Sequence, residues 1–529
     1  MELGGKAFGL IEMTKLGLPV PPGMVIPTYV CRRYHKIGKL PDGLMNSVFE
    51  KMRIIESKIG RKFGSKEKPL LFSVRSGAPI SMPGMMDTIL NIGLNDEITH
   101  ALAEETGNER FAYDAYRRLL EMFGRIILKI PDEKFTQVFE RYKEAVRVNL
   151  DAKLETRFLI KIVDKYKEII KRETGKEFPQ DPKEQLRMSI EAVFKSWNNP
   201  RAKIYRKMYK IPDDLCTAVI IQTMVFGNLG WRSGTGVCFT RDPSTGEKKL
   251  YGEYLLNAQG EEIVAGIRTP KPIEQLKNDL PEIYEQLLKI ADRLERHFKD
   301  MQDIEFTIQE GKLYILQTRP GKRTAEAAIK IAVDMVKQGL ITKEEAVNRV
   351  KLSEITRLLQ PRIDSVSRLK PIAKGLNASP GVAIGKVVFT VEEAVQYSKK
   401  GIKVILVRPE TKPEDIKGIA AANGILTTKG GMTSHAAVVA RGMGKPAIVG
   451  AETIKIDLDK QEFEVNGVVV KKLDTITIDG WTGNVYLGKA PLSIPKLTPE
   501  LRQFLEWAIE FGKPIPKSIQ HLLTKNQSI

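Results

Sequence analysis

Two stretches of this sequence carry side chains whose types and spacing suit phosphoryl chemistry. The first, KGGMTSHAAVVARG from Lys429 to Gly442, holds one of only five histidines in 529 residues. GILTT before it reads as a strand, KGG as a turn, and SHAAVVARGMG as a helix ended by glycine. Thr433 or Ser434 then caps the helix, and His435 falls in its first turn. There the helix dipole disfavours imidazolium, so the ring is expected to be neutral with a free lone pair, and the unpaired amides of the first turn can hold an anion. A histidine with those properties can accept a phosphoryl group as a phosphoramidate and pass it on. That reading requires a ring nitrogen open to the incoming group. A lone histidine is more often a packed core residue, but the small neighbours Gly430, Gly431, Ala436 and Ala437 argue for close approach by something large.

The second stretch is DMQDIEFTIQEGKLYILQTRPG. Alternation in DIEFTI puts Asp303, Glu305 and Thr307 on one face of a strand, and QEGK is a turn signal. LYILQTR should therefore fold back as the partner strand, with Gln317 and Arg319 sharing a face. Two carboxylates about 7 Å apart along a strand, beside a carboxamide and a guanidinium, suit magnesium and polyphosphate. Magnesium prefers hard oxygen ligands, and arginine forks match phosphate oxygens.

Three glycine-bearing segments add anion-binding potential. SVRSGAPISMPGMMDT opens with Arg75 at a strand end. WRSGTGVCFTRDPSTGE has an SGTG core that is expected to fold as a flexible cover with amides aimed at phosphate. LGGKAFGLIEM places Gly4, Gly5 and Lys6 immediately before a helical pattern. The GxxxxGK[ST] spacing of a P-loop is absent.

The elements that must position these residues follow from texture and length. A chain of 529 residues needs about two to four cores. Residues 1–97 mix short apolar runs with Gly and Pro. Residues 98–210 repeat apolar positions at i, i+3, i+4 and i+7 and read as a helical block. Residues 211–321 are expected to be mostly strand, 322–370 a helical linker, 371–490 a compact α/β unit, and 491–529 a tail with one amphipathic helix. The net charge of +19 raises the question of nucleic acid, but Lys and Arg are interleaved with Asp and Glu as on solvated helix faces. A phosphate-rich small ligand accounts for the charge better, and no nucleic-acid partner is expected. No apolar run is long enough to span a membrane, and the N-terminus lacks the features of a secretory signal. Cys31, Cys216 and Cys238 are scattered and are expected to form neither a disulfide framework nor a zinc cluster, so a reducing cytoplasm is the expected setting.

These stretches, together with EYLLNAQGEEIVAGIRTPKPI, RFAYDAYRRLLEMFG and ASPGVAIGKVVF, resemble the pyruvate, phosphate dikinase family from Leu3 to about Trp507. The sister phosphoenolpyruvate synthases look less similar. The resemblance implies an ATP-grasp nucleotide domain with a helical insertion, followed by a swivelling phosphohistidine domain: an α/β and α+β multidomain chain. By matching positions it implies ATP and magnesium residues at Lys6, Arg75, Glu261, Asp303, Glu305, Gln317 and Arg319, with the metal held by Asp303, Glu305 and Gln317. It also implies phosphate-closing loops at Gly84 and Gly236, catalytic roles for Arg319 and His435, and a regulatory threonine at Thr433.

The reaction so implied converts ATP and phosphate to AMP and diphosphate through a pyrophosphoryl-histidine, leaving phosphohistidine for transfer to pyruvate. By the same resemblance, the family's C-terminal phosphoenolpyruvate/pyruvate barrel and the short lead-in before LGGK are expected to have no counterpart in this sequence. Smaller departures are Asn423, usually acidic in the family, and Lys429, commonly arginine. The expectation is an enzyme that phosphorylates its own His435 and delivers the group to pyruvate or another acceptor on a separate barrel subunit; a homo-oligomer is left open. Rival readings are a small-molecule phosphotransferase related to the antibiotic-phosphorylating enzymes, and a non-catalytic ATP-binding regulatory or truncated homologue. Retention of every matching residue weighs against the last.

Overall fold

The first helix, α1 (Gly4–Lys15), begins at a position only glycine can occupy. Gly4 has φ +76°, and a Cβ there would lie 1.8 Å from the Gly77 carbonyl oxygen. Farther along, a Cβ on Gly9 would lie 2.7 Å from the Thr318 carbonyl oxygen. These glycines thus let the α1 backbone lie directly on neighbouring strands. The computed structural model describes residues 2–80, 82, 84–148, 151–264, 269–351, 355, 362–364, 369–493, 497–515 and 523, the side chains of 152, 261 and 264 excepted. It is a mixed α/β multidomain fold whose contacts divide into two compact units.

Unit 1 comprises Met1–Gly234, Leu256–Ala258 and Phe306–Thr318. After α1 come β1 (Gly23–Ile26), α2 (Thr28–Ile37), α3 (Leu44–Ile59), β2 (Phe72–Gly77) and β3 (Thr88–Ile92). The helical block follows as α4 (Asp96–Thr106), α5 (Glu109–Met122), α6 (Asp132–Ala145), α7 (Thr156–Thr174), α8 (Pro182–Ser196) and α9 (Pro200–Tyr209), before β4 (Ala218–Thr223) returns the chain to the sheet. The sheet runs β1-β4-β2-β3, antiparallel throughout, and pairs Arg75 with Ile220 on one side and Thr88 on the other. In α7, Leu159, Ile162, Val163, Tyr166 and Ile170 recur at helical spacing and are all buried. Two of the cysteines that are scattered in sequence come together in the fold: the sulfurs of Cys31 and Cys216 and a ring nitrogen of His35 lie within 4.8 Å of one another. Sequence distance hid this, because α2 packs beside the entry to β4.

Unit 2 comprises Thr235–Leu255, Gln259–Glu305 and Arg319–Ile529. Its elements are β5 (Gly234–Phe239), β6 (Tyr251–Leu256), α10 (Gly260–Val264), α11 (Pro281–Phe298), β7 (Gln302–Gln309) and β8 (Lys312–Pro320), then α12 (Ala325–Lys337) and α13 (Lys343–Arg349). The unit boundary runs through β7 and β8. The QEGK turn forms as expected, with positive φ at Glu310 and Gly311. The expectation of a mostly strand segment misses α11, where Ile283, Leu287, Ile290, Ala291 and Leu294 line one buried helical face. The SGTG core is not a loop either: from Gly234 onward it is buried strand, because the β-favouring Thr, Val, Cys and Phe that follow carry it into the sheet. α12, α13 and the tail helix α17 (Pro499–Glu510) share one apolar core that includes Ile329, Val333, Met335, Phe504, Leu505 and Trp507.

Between α13 and that tail helix lies an eight-stranded sheet. Its labelled strands are β9 (Leu376–Ser379), β10 (Val382–Val388), β11 (Val404–Arg408), β12 (Gly424–Thr427), β13 (Ala447–Val449), β14 (Thr475–Asp479) and β15 (Asn484–Leu487). With Ala373–Lys374 at one edge, the order is β15-β14-β10-β11-β12-β13-β9. The β10-β11-β12-β13 run is parallel and the flanking pairs are antiparallel. Helices α14 (Val391–Lys399), α15 (Ile416–Ala421) and α16 (His435–Met443) connect the parallel strands. α16 therefore starts at the carboxyl end of a parallel strand, where open α/β sheets place their ligands. No helix among the described residues is long and apolar enough to cross a membrane.

Candidate phosphoryl-transfer site

Within unit 1, the structure gathers Arg75 and Gln317. Arg75 stands half-buried on β2; its Nη1 donates to the Leu316 carbonyl at 3.3 Å and its Nη2 to Gln317 Oε1 at 3.4 Å. Gln317 is 1% exposed, and its Nε2 has no hydrogen-bond partner among the described residues. The carboxamide oxygen that a metal would need is thus engaged by Arg75, and the unsatisfied atom is a donor suited to a phosphate or nucleotide oxygen. Lys6 is half-buried in the first turn of α1, whose Gly5 amide donates to the Ala78 carbonyl at 3.1 Å. Beyond β2 the glycine-bearing segment is fastened at its far end. Buried Asp87 accepts from Arg201 Nη2 at 2.5 Å and from Asn199 Nδ2 at 3.1 Å. Gly84 sits exposed in a turn with φ +70°, a conformation that favours glycine.

Within unit 2, Arg319 and Asp303 meet. Arg319 Nε and Nη2 both reach Asp303 Oδ2 at 2.8 Å. The Asp303 charge raises the Arg319 guanidinium above its ordinary range. Glu305 stands half-buried two residues along the same strand, as the alternation requires. Lys322 lies below the usual lysine range because of burial and the neighbouring charges of Arg319 and Arg441. Gly236 is buried inside β5 rather than in a loop. Glu261 falls in α10, and its side chain lies outside the described residues.

His435 is the first residue of α16, with Ser434 at the N-cap. Its Nδ1 lies 3.2 Å from Thr411 Oγ1, while Nε2 is buried without a hydrogen-bond partner among the described residues. The ring is neutral as expected, its pKa pushed down to about 4, but the leading cause is burial; the nearby Asp415 and Glu414 act in the opposite direction. The expectation of an open nitrogen is not met in this conformation. The loop ahead of the helix is packed down: Glu253 on β6 accepts from the Met432 amide and from Thr433 Oγ1, each at 3.2 Å. A Cβ on Gly431 would lie 2.2 Å from Glu253 Oε2, so the body that approaches this glycine is the Glu253 carboxyl. Burial pushes the Glu253 carboxyl above its usual range, opposed by those two hydrogen bonds and by Arg441. Arg441, buried on α16, donates to the Ala437 carbonyl at 3.1 Å and to the Met432 carbonyl, fixing the loop to its helix.

Sequence reasoning passed over Glu253, Thr411 and Arg441. Glu253 did leave a signal: in LYGEYLL it is a lone acid inside an apolar strand, and a buried carboxyl needs donors. Thr411, in a Pro-flanked polar loop 24 residues before the histidine, left none.

Two family profiles and several known proteins match this chain. Residues 38–285 and 274–340 match the family profile described as pyruvate phosphate dikinase, AMP/ATP-binding domain. Residues 402–483, which include His435, match the profile described as PEP-utilising enzyme, mobile domain. The chain is 50% identical over 513 residues to pyruvate, phosphate dikinase of Clostridium symbiosum, covering 96% of this chain and 59% of the relative. It is 52% identical over 509 residues to pyruvate, phosphate dikinase 1, chloroplastic, of Arabidopsis thaliana, covering 96% and 53%. It is 51% identical over 520 residues to pyruvate, phosphate dikinase of Rhizobium meliloti (strain 1021), covering 96% and 58%. The chain thus spans less than two thirds of the length of these relatives. As the first profile alone covers more than half of the sequence, the chain belongs to the pyruvate, phosphate dikinase family of phosphotransferases.

Proposed function

We propose that this chain carries out the nucleotide half-reaction of a dikinase, taking the β-phosphoryl group of ATP onto His435. The observation that carries this reading is the neutral His435 ring at the first position of its helix, with Nδ1 facing the Thr411 hydroxyl. With the proton on Nδ1 and donated to Thr411, Nε2 keeps its lone pair and is the nucleophile. Nε2 attacks the β-phosphorus, the bond from that phosphorus to the α-phosphate oxygen breaks, and AMP leaves. Inorganic phosphate then takes the terminal phosphoryl group as diphosphate, leaving phosphohistidine. Arg319 is assigned to the transferring group, and Lys6, Arg75, Glu261 and the Gln317 amide to the nucleotide, with the segments around Gly84 and Gly236 beside its phosphates.

Asp303 and Glu305 are hard oxygen donors at alternate positions of one strand and fit a magnesium ion; Gln317, whose oxygen is engaged by Arg75, fits less well. When bound, magnesium supplies charge neutralisation on the polyphosphate.

Because Nε2 is covered in this conformation, transfer requires α16 and its loop to leave their present packing. We assign that release to the Glu253 contacts, and we assign the reorientation of residues 371–490 to the connecting segment 322–370, which contains α12 and α13. The acceptor, pyruvate or another, is placed on a separate barrel subunit, and Thr433 is the candidate regulatory position. A cytoplasmic setting accords with three free thiols. Exchange of labelled AMP into ATP tests the half-reaction without any acceptor. Because AMP leaves before inorganic phosphate enters, the exchange should proceed without phosphate or diphosphate and vanish in His435→Asn; exchange that persists in that variant overturns the reading.

A further inference from the structure

Far from the phosphoryl residues in sequence, unit 1 assembles a second set of chemistry-bearing side chains. Cys31 and His35 lie four residues apart on α2 and so share one helical face. Cys216 comes from the residue pair that leads into β4. Their sulfurs and a ring nitrogen lie within 4.8 Å of one another, with Cys31 0% and Cys216 4% exposed and His35 half-buried. A tetrahedral zinc with sulfur ligands at about 2.3 Å holds two sulfurs about 3.8 Å apart, so a cluster of this size can close on one ion without rearrangement of the backbone.

Two further observations point to a ligand rather than to inert packing. Cys216 has φ +57° and ψ −174°, a backbone region that glycine favours and side chains rarely enter. Such strain persists only where surrounding structure enforces it, and it often marks a site. His35 Nε2 faces the Phe194 carbonyl at 3.0 Å; with the proton there, Nδ1 keeps its lone pair, the tautomer a metal-binding imidazole needs. Asn198 Nδ2 lies 3.3 Å from Nδ1, a long exposed hydrogen bond that an ion can displace, and the Tyr34 ring meets the imidazole edge-on with centroids 5.3 Å apart.

We propose that Cys31, His35 and Cys216 form a binding site for a thiophilic divalent ion of the zinc class, joining α2 to the start of β4. Binding releases two thiol protons to solvent and sets two thiolate charges against the ion, with the neutral imidazole third and a water fourth from the half-exposed His35 side. The site is independent of the magnesium reading, which uses oxygen donors on β7.

The test uses the full chain without a histidine tag, loaded with zinc alone and then with cobalt alone. Wild type should bind one zinc against a competing chromophoric chelator and give the thiolate-to-cobalt charge-transfer band in the near ultraviolet. Cys31→Ser and Cys216→Ser should each lower zinc affinity at least 100-fold and abolish the band, and His35→Gln should lower affinity about 10-fold. Asp303→Asn should leave both readings unchanged. The cobalt spectrum of wild type reads the site even if a variant fails to fold. No stoichiometric zinc on wild type, a cobalt spectrum without thiolate bands, or a Cys31–Cys216 disulfide that forms in air and excludes zinc each overturns the proposal.

Discussion

Glu253 Oε2 accepts a hydrogen bond from Thr433 Oγ1 at 3.2 Å, two residues before His435. A carboxyl from β6 thereby fastens the loop that leads into the histidine helix, and Gly431 is the residue that lets it come so close. The contact ties the loop that places His435 to one buried acid.

Because burial raises the folded-state pKa of Glu253, its contribution to stability is fully present below the unfolded carboxyl pKa and is lost as pH rises through the folded value. Glu253→Gln keeps the shape and cannot ionise. The melting temperature of Glu253→Gln relative to wild type should therefore rise from pH 4.5 to pH 8. A constant difference across that range contradicts the buried-acid account.

Gly431→Ala forces a Cβ to within 2.2 Å of Glu253 Oε2 and should destabilise unit 2 by about 1–3 kcal/mol, the usual cost of overpacking. Combining it with Glu253→Ala should recover most of that loss, because the two changes act on one contact. Denaturant titration of the four proteins measures the coupling; strict additivity shows that the glycine is there for another reason.

His435 gives the opposite pH signature. Its folded pKa, about 4, lies below the unfolded value, so its contribution to stability is present above about pH 6.5 and is lost as pH falls toward 4. Relative to His435→Asn, wild type should lose up to about 3 kcal/mol over that window. A flat difference means the ring is not desolvated.

Arg319 and Asp303 meet at 2.8 Å and test the phosphate end. Arg319→Ala should slow AMP–ATP exchange about 10²–10³-fold, as when a donor to developing charge is lost. Arg319→Lys should recover only part of this, since the fork geometry is absent. Full activity in Arg319→Lys shows that charge alone suffices.

The hairpin and the histidine helix could be read from the sequence because both are local: alternation, a turn signal and a glycine stop lie within about twenty residues. The Asp303–Arg319 meeting follows from the turn between them. What escaped notice was set by packing between distant segments. The partner of Thr433 lies 180 residues away, Cys31 and Cys216 are 185 apart, and the SGTG glycines became strand because a sheet was waiting for them. Burial of His435 Nε2 likewise depends on what covers the ring, which no local pattern encodes. α11 is a different case: its period was present and strand texture on either side masked it.

The central claim is most directly tested by incubating the full chain with ATP labelled at the β position, phosphate and magnesium, then locating the label. The account predicts one acid-labile, base-stable phosphoryl group per chain on Nε2 of His435, absent from His435→Asn. Label on another residue, or no label in wild type that binds ATP, would contradict it.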